Sequence, residues 1–487
     1  MRRFVAGPAA LLALLLASPA AAQTGARALP DRSKPPALGP VRPLKLPPLQ
    51  QFRLPNGIPV FFVELHEVPV VQVDAIVRAA AGADPLDKPG LASLTADMLD
   101  EGAGSRSALE IADETGFLGA ELESVAGWDA TSVRLHVPVK SLERALPILA
   151  DVVIHPTFPT GELERVRTDR LTELLQWRDE PRAIASVALA SALYGRKHRY
   201  GTMTLGTEAS VRRFSRADLA AFHAQAFRPG NAALVVVGDV TAASIQRELE
   251  KTFGAWTAPE GSAAAAPAAA PQVGGREIWI VDRPGSAQSE IRIGRIGPPR
   301  STRDYFALTV MNTILGGSFT SRLMQNLREQ HGYAYAARSS FDFRLSSGPF
   351  VAAAAVQTDK TAPALTEFFK ELDAIRKTVT ETEVAKAKNY VALSFPSDVE
   401  TTGDIASKLA DQFIYGLPND WLDTYVSRIG AVTLEDVRRV ASEYVDPSKV
   451  MVVVVGDRRK IEGEVKALNL GPVKALSVKE LFGVAKK

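Results

Sequence analysis

The chain has 487 residues, 46% of them hydrophobic and 23% charged, with a formal net charge of +2 and no cysteine. That length exceeds one ordinary core, so two or more domains are expected. The near-neutral charge argues against nucleic acid as the main partner, and the lack of cysteine excludes disulfides and a lipid-modified cysteine.

Met1-Arg2-Arg3 leads into an apolar run through Leu16 and then Ser18-Pro19-Ala20-Ala21-Ala22. A charged start, a short hydrophobic stretch and an Ala-x-Ala end predict a secretory signal peptide over 1–22, cleaved after Ala22. The expected destination is the periplasm or the cell exterior. The run is short for a membrane span, and no later stretch approaches roughly 20 apolar residues, so none is expected after cleavage. Residues 23–49 are proline-rich and aperiodic, an extended leader.

Folded structure is expected from Phe52. Pro55-Asn56-Gly57 separates two β-type runs, the second from Ile58 to Val63. Val71, Val73, Ala75 and Val77 alternate with Gln72, Asp74, Ile76 and Arg78, the pattern of a strand. After a turn at Asp87-Lys88-Pro89-Gly90, Leu91, Leu94, Met98 and Leu99 recur at helical spacing. Ser93, Ala96 and Asp97 then share a neighbouring face of that helix. Further helices are predicted from about Ala108 to Leu118, through Leu142, Leu146 and Leu149, and from about Gly161 to Arg178. Thr131 to Val137 is a strand. This interleaving predicts an α+β fold, with flanking helices on a mixed or antiparallel sheet.

The end of the first half has a twin. Phe227-Arg228-Pro229-Gly230-Asn231, then Leu234 to Asp239, matches Val445-Asp446-Pro447-Ser448-Lys449, then Val452 to Asp457. Asp218, Pro229, Gly238 and Asp239 each recur 218 positions later. A constant offset with one helix-turn-strand pattern predicts an internal duplication. The Ala/Pro-rich stretch 258–275 reads as a linker between an N-terminal domain (50–257) and a C-terminal domain (276–487).

In the second copy, Ile278 to Val281 and Ser289 to Gly294 read as strands. A helix is expected from about Arg303 to Leu315, broken by Gly316-Gly317. Another opens with Ser318-Phe319-Thr320-Ser321-Arg322-Leu323 and ends near Gly332, a C-cap. Tyr333-Ala334-Tyr335-Ala336 begins the next strand. Gly316-Gly317 lacks the lysine of a phosphate loop, which favours a turn or packing role.

Two stretches carry a resemblance. Gly90-Leu91-Ala92-Ser93-Leu94-Thr95-Ala96-Asp97-Met98 resembles the zinc helix of the insulinase/pitrilysin family, in which a His-x-x-Glu-His run holds zinc and activates water. Here Ser93 and Asp97 stand at the histidine positions and Ala96 at the glutamate position. Glu173 stands where a further glutamate completes the family's metal site. Gly316-Gly317-x-Phe319-x-Ser321-Arg322-Leu323, then Leu327-Arg328-Glu329 and Tyr335, resembles the family's C-terminal signature. The resemblance implies two tandem homologous α+β domains forming half of a clam-shell, with Arg328 and Tyr335 binding a peptide substrate. A guanidinium is a permanent donor for carbonyls, and a phenol can donate where oxyanion charge develops.

No catalytic or metal-ligating residue is assigned to this chain, and zinc is expected only in a partner subunit. His66, His136, His155, His198, His223 and His331 show no metal-ligand spacing. The leading expectation is a non-catalytic, substrate-binding subunit of an exported heterodimeric zinc endopeptidase, paired with a homologous zinc-bearing chain. A structural or assembly role on the same fold is the alternative. An autonomous hydrolase using Asp97, Glu101 or Glu173 is a third reading.

Overall fold

The computed structural model describes residues 46–257 and 266–482. The expected signal peptide, nearly all of the proline-rich leader and the first part of the linker lie outside the described residues. In the Pro55-Asn56-Gly57 turn, Gly57 supplies the positive backbone angle (φ 87°) such a turn needs.

The first half contributes β1 (Gln50–Arg53), β2 (Pro59–Glu64), β3 (Val70–Val77), β4 (Gly102–Ala103), β5 (Arg106–Ser107), β6 (Glu121–Ala126), β7 (Thr131–Pro138) and β8 (Ala232–Gly238). The second contributes β9 (Glu277–Asp282), β10 (Gln288–Ile296), β11 (Ala334–Phe341), β12 (Pro349–Gln357), β13 (Met451–Gly456) and β14 (Val473–Ser477). β4 pairs with β5. The rest form two six-stranded sheets, ordered β1-β2-β8-β3-β7-β6 and β11-β12-β10-β13-β9-β14.

Read from β6 and from β11, the two orders correspond strand for strand over five positions. In both, one parallel pair (β2 with β8, β9 with β13) adjoins antiparallel neighbours. The sixth strand differs: β1 pairs antiparallel with β2, whereas β14 pairs parallel with β9. The predicted duplication is therefore present in the topology. It extends to the helices Arg216–Ala226 and Leu434–Tyr444, each opened by a capping box, Ser215 with Asp218 and Thr433 with Asp436.

The alternation along 71–78 predicts one polar strand face, yet β3 is buried on both. The cause is an exchange of helices within the compact unit Pro43–Lys487. The helix Thr402–Tyr415 of the second half packs on β3 and β8, and the helix Pro181–Tyr194 of the first half packs on β10 and β13. Each sheet thus has a face covered by the other half. Gln72 and Asp74 go under as a hydrogen-bonded pair, and burial lifts the Asp74 carboxyl to about 6.

Two helices depart from expectation. Leu91–Asp97 is buried from Leu91 through Ala96 rather than along one stripe. The second-half helix expected from Ser318 starts at Arg322 and runs as a single α-turn to Met324, then as a π-helix over Gln325–Gln330.

Candidate functional site

The Leu91–Asp97 helix is set by Asp84, whose carboxylate accepts the backbone N–H groups of Gly90 (2.7 Å) and Ala92 (2.8 Å). Those donors have no partner inside the helix, so an acceptor there fixes its start. Burial pushes the Asp84 carboxyl up to about 7.

The helix brings Ser93 and Asp97 within reach of the helix Thr160–Trp177. From there Arg170 donates to Ser93 Oγ (2.7 Å) and, through Nη2, to the Asp97 carboxylate. Ser93 Oγ in turn donates to the Thr204 carbonyl at 2.7 Å. The Arg170 side chain is 3% exposed and that of Asp97 41%. A buried guanidinium therefore bridges the two positions that a zinc helix gives to histidines. The donor set does not fit zinc, since Ser93 is committed to a carbonyl, Ala96 offers a methyl, and Asp97 is neutralised by a fixed cation. Among the described residues no group of three or more His, Asp or Glu side chains converges to hold a metal.

Glu173, one helical turn beyond Arg170, is half-buried. Glu101 is ion-paired with Arg165. Two of the three carboxylates in the autonomous-hydrolase reading, Asp97 and Glu101, are thus held by arginines.

Arg170 is a residue that sequence reasoning missed, although a signal exists. The buried positions of its helix are Leu163, Val166, Arg170 and Leu174, an apolar row in which one place is taken by arginine. A charge on a buried row requires a partner.

In the second half, Arg328 and Tyr335 come together at the surface. The Arg328 guanidinium lies 5.2 Å from the centre of the Tyr335 ring and 4.7 Å from that of Phe319. Both rings are open to solvent, Tyr335 at 86% and Phe319 at 61%. Exposed aromatics around a cation cover no core, so their geometry serves the surface. Each member of the pair sits on a local irregularity. Arg328 is in the π-helical turn, and Tyr335 lies where the β11–β12 register shifts between Ala334 and Ala337. Such insertions re-aim side chains and concentrate at functional sites. Phe319, quoted in the sequence motif but given no role there, belongs to this cluster. Gly332 closes the helix in the left-handed conformation (φ 64°), its N–H donating to the Arg328 carbonyl at 3.0 Å.

Five of the six histidines are occupied elsewhere. His66 lies between Glu64 (2.9 Å) and Asp239 (2.5 Å), and His136 contacts Gln72 at 3.2 Å. His198 and His223 contact the backbone carbonyls of Ala268 and Val153, and His331 stacks on Tyr333.

Comparison with known proteins agrees with this picture. The family model described as Insulinase (Peptidase family M16) matches residues 61–208, and that described as Peptidase M16 inactive domain matches 213–391. An uncharacterized zinc protease of Mycobacterium leprae is 26% identical over 392 residues, covering 80% of this chain and 88% of that protein. The non-peptidase homolog YmxG of Helicobacter pylori is 24% identical over 409 residues, covering 83% and 93%. The crystal structure of a peptidase M16 inactive domain from Pseudomonas fluorescens superposes with a TM-score of 0.78 at 28% identity, over 84% of this chain and 98% of that one.

Fold and site together define a peptidase-like protein whose metal helix carries no metal ligands. The chain belongs to the insulinase family, peptidase family M16. The inactive-domain match and the donor set at Ser93, Ala96 and Asp97 fit a non-catalytic member.

Proposed function

We propose that this protein is the non-catalytic, substrate-binding subunit of an exported heterodimeric insulinase-like endopeptidase. A homologous zinc-bearing chain would be its partner. The observation that carries the reading is the contrast between the halves. Arg170 fills the metal helix of the first, while in the second the half-buried Arg328 lies over the exposed ring of Tyr335. In this role the Arg328 guanidinium donates to peptide carbonyls. The Tyr335 hydroxyl donates to the carbonyl under attack, where negative charge grows. Neither residue performs hydrolysis, so the chain is inactive alone. The signal-type N-terminus supports export, and among the described residues no helix is long and apolar enough to cross a membrane.

The test is peptide hydrolysis by the purified protein, alone and mixed with a zinc-bearing homologue from the same source. Activity confined to the mixture and lowered by Arg328→Ala and Tyr335→Phe is the expected result. Unchanged turnover in both variants overturns the substrate-binding role. The name of the Helicobacter relative, a non-peptidase homolog, favours one second reading, an assembly protein with no part in proteolysis. A stable complex lacking any peptidase subunit would be its signature.

A further inference from the structure

A cavity of about 360 Å³ lies on the seam between the two halves. That volume suits a small ligand, and such sites favour domain boundaries. One wall belongs to the helix Pro181–Tyr194 and the turn that follows; the other is the face of β10, β11 and β12 turned toward them. Trp128, Trp177 and Tyr194 supply aromatic surface, and Arg292, Arg338 and Arg344 supply cations. The seam is held by fixed contacts. The Leu345 N–H donates to Asp129 at 3.0 Å, and the Tyr194 hydroxyl donates to the Ser347 carbonyl at 2.9 Å.

Cations and anions meet along this wall. Arg344 is paired with Asp342 and lies 4.4 Å from the Trp128 ring centre, while Arg292 is paired with Glu290 at 3.3 Å. Arg338, exposed on β11, makes no hydrogen bond or ion pair with a described residue, although its charge acts on the buried Glu290 carboxyl. A planar anion is the group that guanidinia match best, and Arg338 lines the cavity.

We propose that this cavity binds a carboxylate carried on an apolar or aromatic body, the chemistry of a peptide C-terminus ending in a large apolar residue. Arg338 holds the carboxylate, and the tryptophan and tyrosine faces take the body. The site uses neither Arg328 nor Tyr335, so it stands or falls separately from the subunit role proposed above.

The experiment is calorimetric titration of the purified protein with N-acetyl-glycyl-phenylalanine, with its C-terminal amide, and with 3-phenylpropanoate. The free-acid peptide is expected to bind, and both amidation and Arg338→Gln are expected to weaken it about tenfold or more. Lys251→Gln, which removes a solvent-exposed cation outside the cavity lining, is expected to leave it unchanged. Ala190→Trp, which places a ring in the cavity, is expected to abolish it, with thermal melts showing that both cavity variants fold. Phenylpropanoate matching the peptide identifies a free carboxylic acid as the source, and weaker binding identifies a peptide terminus. Equal binding of acid and amide, no loss in Arg338→Gln, or no binding of either acid overturns the site.

Discussion

Arg170 and Asp97 meet across 73 residues of sequence, and their ion pair joins the helix Thr160–Trp177 to the stretch that resembles a zinc helix. The two partners are unequal in burial, 3% exposed for the arginine side chain and 41% for the aspartate. Removing the aspartate strands a buried cation, whereas removing the arginine leaves a carboxylate that water can reach. Asp97→Ala is therefore expected to cost about 3 kcal/mol and Arg170→Met about 1 kcal/mol. Urea denaturation of the two variants checks the order; equal costs would mean that the pair contributes little.

Phe319 buries no core, so Phe319→Ala is expected to change stability by less than about 0.5 kcal/mol. It removes one of the two rings beside Arg328, a contact of about 0.5–1 kcal/mol at an exposed site. In the reconstituted enzyme the expected effect is a KM raised about three- to fivefold, with kcat nearly unchanged. An unaltered KM would separate Phe319 from the substrate.

His66 links the ends of β2 and β8 by contacting Glu64 and Asp239, and hydrogen bonds to these carboxylates raise its pKa. The sign follows from that direction. A folded pKa above the unfolded one stabilises the protein fully below the ordinary histidine value of about 6.5, and the gain is lost as pH rises through the folded value. His66→Gln is thus expected to lower the melting temperature most at about pH 5–6 and to match the parent in alkaline buffer. Melting curves across that range, with an NMR titration of the ring, test it.

The twin capping boxes give a test of the duplication in energetic terms. Ser215→Ala and Thr433→Ala each remove a side-chain acceptor from a helix start and are expected to cost about 1 kcal/mol. Neither residue touches the other, so the double variant is expected to lose their sum to within about 0.5 kcal/mol. Chemical denaturation of the three variants measures it.

Much of the fold was legible because its signals are local. The C-cap at Gly332, the turn at Gly57 and the Val-rich strands ending at Gly238 and Gly456 act over a few neighbours, so periodicity and spacing located them. The π-helical turn at Arg328 was not legible, since nothing in Gln325–Gln330 distinguishes it from an α-helix until packing against β11 fixes it. The second buried face of β3 was missed for a related reason. Its cover is the helix Thr402–Tyr415, more than 300 positions away in the chain.

The sequence by itself determined that the metal helix lacks ligands, that the chain is duplicated, and that Arg328 and Tyr335 share a motif. Those properties depend on residue identity and on order along the chain. Only the tertiary structure decided what takes the place of the metal, which partners stack on Arg328, and that each half covers the other's sheet. Arg170 reaches Asp97, and Phe319 reaches Arg328, only after separate segments have packed. The burial that makes a guanidinium seek an anion arises only in the folded chain.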